Sequence, residues 1–242
     1  MRHYFSIQFT RTLFLALLAM GFSTQALAAL AAKVEFAIGN VTATALDGQS
    51  RALAKGGDLN SGDSISTNAG QVQIRFTDGG FLSLKPNTVF KIEAYNFNSK
   101  ADGKEKAFFS LVKGGLRTVT GAIGKANRQN YEMRTSNATI GIRGTAYSAN
   151  QTDTSLDVFV SEGAISVTNQ GGSIVVEAGQ SAIVRSPQAM PEVTMDKVPP
   201  PVPDAPQQFI EQQTTGSTVI FNEQVNEIGH SAVFGSSSSS AP

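Results

Sequence analysis

The carboxylates are the side chains with the most chemistry to offer. Asp58, Asp63, Asp78, Asp102, Asp153, Asp157, Glu162 and Glu177 lie in the central part of the chain. Two carboxyl groups facing each other across roughly 5–10 Å are the machinery of glycoside hydrolysis, and carboxylates at ligand-loop spacing hold calcium. The pattern here points to turns instead. Asp47, Asp78 and Asp102 each precede a glycine, and Asp63 follows Gly62 at the start of a strand. Histidine occurs only as His3 and His230, so a Ser–His nucleophile would have to draw on the distal tail. Cysteine is absent, which removes disulfides and thiolate metal centres. The expectation is therefore no catalytic residue, no metal and no cofactor.

Two other groups could bind. Arg143 stands between Gly141 and Gly144 in an extended segment. With no side chain at Gly141, the guanidinium has room to lie back and tie neighbouring strands through their carbonyls; the alternative role is an anchor for an anionic ligand. The aromatics Phe81, Phe90, Tyr95, Phe97, Phe108, Phe109, Tyr131 and Tyr147 read mostly as core, while Tyr95 and Phe97, in Tyr95-Asn96-Phe97-Asn98 beside a polar loop, could instead form an exposed binding edge.

These residues need strands to hold them. Val72, Ile74 and Phe76 alternate with polar residues, as do Leu156, Val158 and Val160, and Ile165 and Val167. Period-two alternation is the signal of half-buried strands. Turn pairs such as Asp47-Gly48, Gly62-Asp63, Asp78-Gly79, Gly114-Gly115 and Gly179-Gln180 punctuate them. The fold class is all-β: a multi-stranded twisted sandwich or a short β-solenoid-like domain. Residues 121–130 read as a loop or a single helical turn. A weak internal repeat equates Gly39 with Gly163, and Gly62-Asp63 with Gly179-Gln180.

The N-terminus reads as an export signal. Arg2 and Arg11 precede the apolar run from Leu13 to Met20, and Ala26-Leu27-Ala28 fits a signal-peptidase site. The run is about half the roughly 20 residues of a membrane span, so cleavage after Ala28 and a periplasmic or extracellular location are expected. The whole chain balances 19 basic against 19 acidic residues. With no basic excess, a nucleic-acid partner is excluded. The organisation expected is a signal peptide over 1–28, a β domain over 29–185, a Pro-rich linker over 186–206 and a largely disordered tail over 207–242.

An ordered set of segments resembles the FecR domain family. Thr139-Ile140-Gly141-Ile142-Arg143-Gly144-Thr145 is similar to its central motif. Upstream, Gly57 to Thr67, Val72 to Gly80 and Leu82 to Thr88 resemble successive strands and turns of that family. Downstream, Glu162-Gly163-Ala164-Ile165 and Ala178-Gly179-Gln180 resemble its closing strands. The resemblance spans roughly residues 34 to 185 and marks Gly62, Asp63, Asp78, Gly79, Gly141, Arg143, Gly144, Thr145, Gly163 and Gly179 as family-motif positions with structural roles. Well-known members are sensors in bacterial iron-uptake signalling that hold a sigma factor through a cytoplasmic segment. About a dozen residues precede the apolar run here, so the expectation is an exported domain acting alone, as a protein-interaction, scaffold or sensing module of the envelope. Its partner would be another envelope protein or a surface polymer. The alternatives are a carbohydrate-binding module and, third, a carboxylate-dependent glycoside hydrolase.

Overall fold

A computed structural model describes residues 29–99 and 103–194. The expectations about residues 1–28, Asp102 and residues 195–242 lie outside the described residues.

The chain shuttles between two layers. Strand β1 (Leu30–Ile38) opens the front layer. The hairpin β2 (Thr42–Thr44) and β3 (Ser50–Ala52) lies in the back layer, and β4 (Asp58–Asn60) returns to the front. Strand β5 (Ser64–Ser66) is at the back, β6 (Gln71–Phe76) and β7 (Phe81–Leu84) are at the front, and β8 (Val89–Asn96) is at the back. Strand β9 (Lys106–Val119) begins in the back layer and ends in the front. Helix α1 (Ala122–Ala126) and a 3-10 turn (Arg128–Asn130) lead to β10 (Tyr131–Thr135) and β11 (Thr139–Ile142) at the back. Then come β12 (Ala146–Gln151) and β13 (Leu156–Glu162) in front, and β14 (Ala164–Asn169) and β15 (Gly172–Glu177) behind. Strands β16 (Ser181–Val184) and β17 (Glu192–Thr194) close the front layer.

The pairings give a front order β4–β1–β6–β7–β9–β12–β13–β16–β17. The back order is β3–β2–β5–β8–β9–β10–β11–β14–β15. Because β9 belongs to both layers, the 17 strands form one sheet, doubled over on itself and not closed into a barrel. Every described pairing is antiparallel except β9–β10. That ladder favours the sandwich over the solenoid, whose coils would stack in parallel.

The crossing inside β9 explains Gly114-Gly115, which is a bend within one long strand and not a turn between two. Gly114 has φ +89°, and a Cβ there would meet the Cα of Thr88 at 2.6 Å. Thr88 Oγ1 accepts from Gly115 N at 3.0 Å and donates to Gly115 O at 3.1 Å. Between the layers, the ring of Phe76 packs 5.0 Å from that of Phe109, and the hydroxyls of Tyr131 and Tyr147 meet at 3.1 Å. Alternation held where the strands are regular: Val72, Ile74 and Phe76, then Leu156, Val158 and Val160, then Ile165 and Val167 are all buried.

The C-terminal boundary needs correction. Pairing continues past residue 185, since Ser181, Ala182 and Ile183 face Thr194, Val193 and Glu192. Pro187 belongs to the folded loop before β17, where its carbonyl accepts from Gln170 N at 3.1 Å. Proline lacks a donor but keeps its acceptor, and edge positions tolerate it.

Candidate binding cleft

The family-motif residues hold corners of the fold. Asp63 is 2% exposed; its Oδ2 accepts from the Arg51 guanidinium and from Asn60 N at 2.9 Å, joining β3 to β4 just after the turn at Gly62. Asp78 and Gly79 form the β6–β7 turn. Asp78 Oδ1 accepts from Gly80 N at 3.0 Å, and its Oδ2 and carbonyl accept from Ile123 N and Ala122 N at the start of α1. Thr145 is buried and forms a reciprocal clamp with Thr120: Thr120 N donates to Thr145 O at 3.0 Å, and Thr145 N to Thr120 Oγ1 at 3.0 Å. Thr67 and Thr88 repeat this clamp in the first half. Threonine at a strand end carries no sequence signal that would have revealed either pair.

Arg143 is not a buried tie. β11 ends at Ile142, Gly144 at φ +69° turns the chain, and the Arg143 side chain is exposed. Only its backbone is engaged, with N donating to Ala164 O at 2.9 Å. The bare face of Gly141 accommodates Ser166, whose Oγ would lie 2.7 Å from a Cβ there, and not the guanidinium.

Tyr95 and Phe97 are not an exposed edge either. Tyr95 is 3% exposed and stacks on Phe76 at 5.3 Å. Its hydroxyl accepts from Asp78 N at 3.0 Å and from Thr77 Oγ1 at 3.1 Å. Burial raises its pKa. Phe97 packs partly buried against the same core. The β8 register shift between Ile92 and Ala94 breaks the strict alternation from which outward-facing rings would be inferred.

Gly163 and Gly179 belong to a repeat whose second equivalence differs from the one the sequence proposes. Val34 N donates to Gly57 O and Gly56 N to Val34 O, at 2.9 and 2.8 Å. Val160 N donates to Gln180 O and Gly179 N to Val160 O, at 3.0 and 2.8 Å. Gly179 therefore corresponds to Gly56, not to Gly62, while Gly39 and Gly163, both at φ +74°, mark the preceding corner. The units β1–β4 and β13–β16 follow one path: front strand, glycine corner, back hairpin, glycine corner, front strand.

The repeat exposes what is particular to the first unit. In β1, Val34 faces Ile74 and Phe36 faces Gln73, so Glu35 is the extra residue of a bulge. In β13, Val160 faces Tyr147 and Glu162 faces Ala146, so Ser161 is its counterpart. After the bulge, β13 reaches its glycine in two residues, whereas β1 runs through Phe36, Ala37 and Ile38 first. The bulge turns Phe36 to the outer face and leaves Ile38 57% exposed.

Phe36 and its neighbours form a cleft of about 660 Å³ on the front layer, within the usual range for ligand sites of about 300–1,000 Å³. Leu30, Val34, Phe36 and Phe76 give it apolar surface, and Lys33, Lys55, Arg75 and Glu35 line it with charge. Arg75 holds Glu35 with both fork nitrogens, Nε to Oε1 at 2.9 Å and Nη2 to Oε2 at 3.3 Å, and lies 5.1 Å from the ring centre of Phe81. Lys33 pairs with Asp58 on β4. Sequence reading missed this site. Val34, Phe36 and Ile38 alternate as if all faced inward, and nothing in the residue types announces the bulge.

Among the described residues there is no group of three or more histidine, aspartate or glutamate side chains placed to hold a metal, and no helix long and apolar enough to cross a membrane. Comparison with known proteins adds the family. Residues 63–166 match the family described as FecR protein. No curated protein matches the chain. Two crystal structures of a "putative anti-sigma factor" from Parabacteroides distasonis are similar at 17% and 18% identity, each with a TM-score of 0.43. Each alignment covers 54% of this chain and 58% of the Parabacteroides chain. Most of the cleft lining precedes the matched segment, while the Asp63, Asp78 and Thr145 corners lie inside it, so the similarity to the FecR family is carried by the corners of the fold.

Proposed function

We propose that this protein is an exported, non-catalytic interaction module of the bacterial cell envelope, and that the β1–β6 cleft receives its partner. FecR-family proteins are envelope-associated. The observation that carries the reading is the cleft itself: apolar surface from Leu30 and Phe36, rimmed by three basic residues and one acidic one. An extended segment of another envelope protein, carrying apolar side chains and a carboxylate, complements that lining. The carboxylates that sequence reading weighed for catalysis support the same view. Asp63 and Asp78 are committed to hydrogen bonds that hold turns, a role that leaves neither placed to move a proton for a substrate. A carbohydrate-binding module would need an exposed aromatic platform, and of the pair Tyr95 and Phe97 the first is buried and the second packs partly buried against the core.

The test uses the mature chain as bait in an envelope extract, beside Phe36→Glu, which places a charge on the apolar surface. The expected result is an envelope polypeptide retained by the parent protein and lost by the variant, with the two melting alike. Equal retention by both proteins would reject the cleft as the docking site. Recovery of the protein from the cytoplasm with residues 1–28 intact would reject export.

A further inference from the structure

The four sheet edges of the molecule are unequal. β3, β4 and β17 are three residues each, and Arg51 and Asp58 stand on the first two. Short and charged edges resist pairing with another chain. The edge strand β15 is different. It runs six residues, Gly172-Ser173-Ile174-Val175-Val176-Glu177, without lysine, proline or a register shift against β14.

The direction of its backbone groups follows from its end. Glu177 N donates to Gln180 Oε1 at 2.9 Å and Glu177 O accepts from Gln180 N at 3.0 Å, so the Glu177 peptide groups face away from β14. In an antiparallel ladder, direction alternates with every residue. Ser173 and Val175 therefore also present their N–H and C=O outward, and both are exposed, Val175 at 42%. The loop before β17 covers the hairpin tip, with Met190 against Gly172, and leaves these two residues open.

We propose that a second copy of this chain pairs with this edge, β15 against β15 in antiparallel register about a two-fold axis at Ile174. This register places Ser173 opposite Val175 of the second copy, twice over by symmetry. All four outward peptide groups of each copy then find partners. The half-buried Ile174, which packs against the core, meets its own symmetry mate and extends the apolar layer across the axis. Glu177 lies beyond the paired segment, so no like charges are opposed. Self-complementarity of this kind is what a two-fold interface requires.

The absence of cysteine makes the test clean. Facing residues in a non-hydrogen-bonded antiparallel pair have Cα atoms about 4.5 Å apart, within disulfide reach. The mature chain carrying Ile174→Cys should oxidise to a covalent dimer, while Ser50→Cys on the opposite edge should stay monomeric. Sedimentation of the unsubstituted chain should show a dimer, and hydrogen exchange at Ser173 and Val175 should slow at least tenfold as concentration rises through the association. Val175→Pro removes an outward donor without touching the native ladder and should shift the equilibrium to monomer, with a melting temperature equal to that of the unsubstituted chain at dilution, where both are monomeric. A chain that is monomeric at every concentration would overturn the proposal, as would cross-linking of Ile174→Cys no better than that of Ser50→Cys. A monomer whose Ser173 and Val175 amides are nonetheless protected would mean that another segment of the same chain occupies the edge; that result would also overturn it.

Discussion

The units β1–β4 and β13–β16 share a path, two glycine corners and a bulge, yet they end as different surfaces. Two additional residues of strand before Gly39, Ala37 and Ile38, together with Phe36 in the place of Glu162, are enough to turn one outer face into a cleft. In the second unit the strand meets Gly163 directly after Glu162, and the notable feature is the open edge of β15. One backbone plan thus supports two surfaces, and what separates them is strand length after a bulge and the residues set on the edge. The corners are common framework; the cleft and the edge are particular to each unit.

The comparison breaks most severely at the corner glycines. Gly163 has φ +74°, and a Cβ there would sit 2.3 Å from Gly144 O, a backbone atom that has no room to retreat. Gly179 also has positive φ, at +82°, but open space surrounds the position of its Cβ. Gly179→Ala should cost about 1–2 kcal/mol, the penalty of the left-handed conformation alone. Gly163→Ala should cost more than about 3 kcal/mol, lowering the melting temperature by roughly 10 °C for a domain of this size. Equal losses in the two variants would show that contact with Gly144 is not what fixes the corner.

The next effect distinguishes how the two units secure their back hairpins. The first uses the buried Asp63 carboxylate, bonded to Arg51 and Asn60 N; the second uses the exposed Gln180 amide on Glu177 N. Asp63→Ala should lower stability by about 2–3 kcal/mol, since it strips a charged acceptor from two donors. Gln180→Ala should cost below about 1 kcal/mol. Chemical denaturation of both variants reads the difference, and the reverse order would contradict the assignment.

A third prediction concerns the seam between the halves, where Tyr131 meets Tyr147. Burial pushes the Tyr131 hydroxyl up to about 12 and raises that of Tyr147 as well. A phenol with a raised folded pKa favours the folded state fully below its unfolded value of about 10, and that contribution is lost as pH climbs through the folded value. A chain of residues 29–242 should therefore show no tyrosinate absorbance step near pH 10. Ionisation should coincide with loss of the β circular dichroism signal between about pH 10 and 12. A separate tyrosinate step in the folded protein would mean that the seam admits water.

The smallest effect is expected at Arg143. With its guanidinium exposed and only its backbone bonded, Arg143→Ala should change stability by no more than about 0.5 kcal/mol. A loss of several kcal/mol would restore the buried tie that the sequence suggested.

What sequence reading could and could not reach follows from these same residues. The alternation of β6, β13 and β14 identified strands and their buried faces correctly, because those strands are regular between well-marked turns. The resemblance to FecR domains located corners at Asp63, Asp78 and Thr145 without revealing their bonds. Where a bulge intervenes, period-two reasoning inverts. Applied to Val34, Phe36 and Ile38 it would turn all three inward, whereas the one-residue shift at Glu35 sends the last two outward. At Tyr95 the core reading held and the exposed-edge alternative did not: its polar neighbours suggested exposure, but its hydroxyl satisfies the Asp78 turn from inside. Arg143 failed because a glycine-framed arginine reads as room for a side chain, when Ser166 already occupies that room. The repeat was half legible, since Gly39 and Gly163 stand at matching corners while the second pairing depends on hydrogen bonds that spacing does not reveal.

Binding of a different envelope polypeptide is proposed for the first unit and not for its structural counterpart. Site-specific photo-cross-linking in living cells tests this most directly. A benzophenone side chain replaces Phe36 in one protein and its counterpart Glu162 in another. Position 36 should give a discrete cross-linked adduct containing a second envelope polypeptide, and position 162 none. Adducts of equal yield from both positions, or an adduct from position 162 alone, would contradict it.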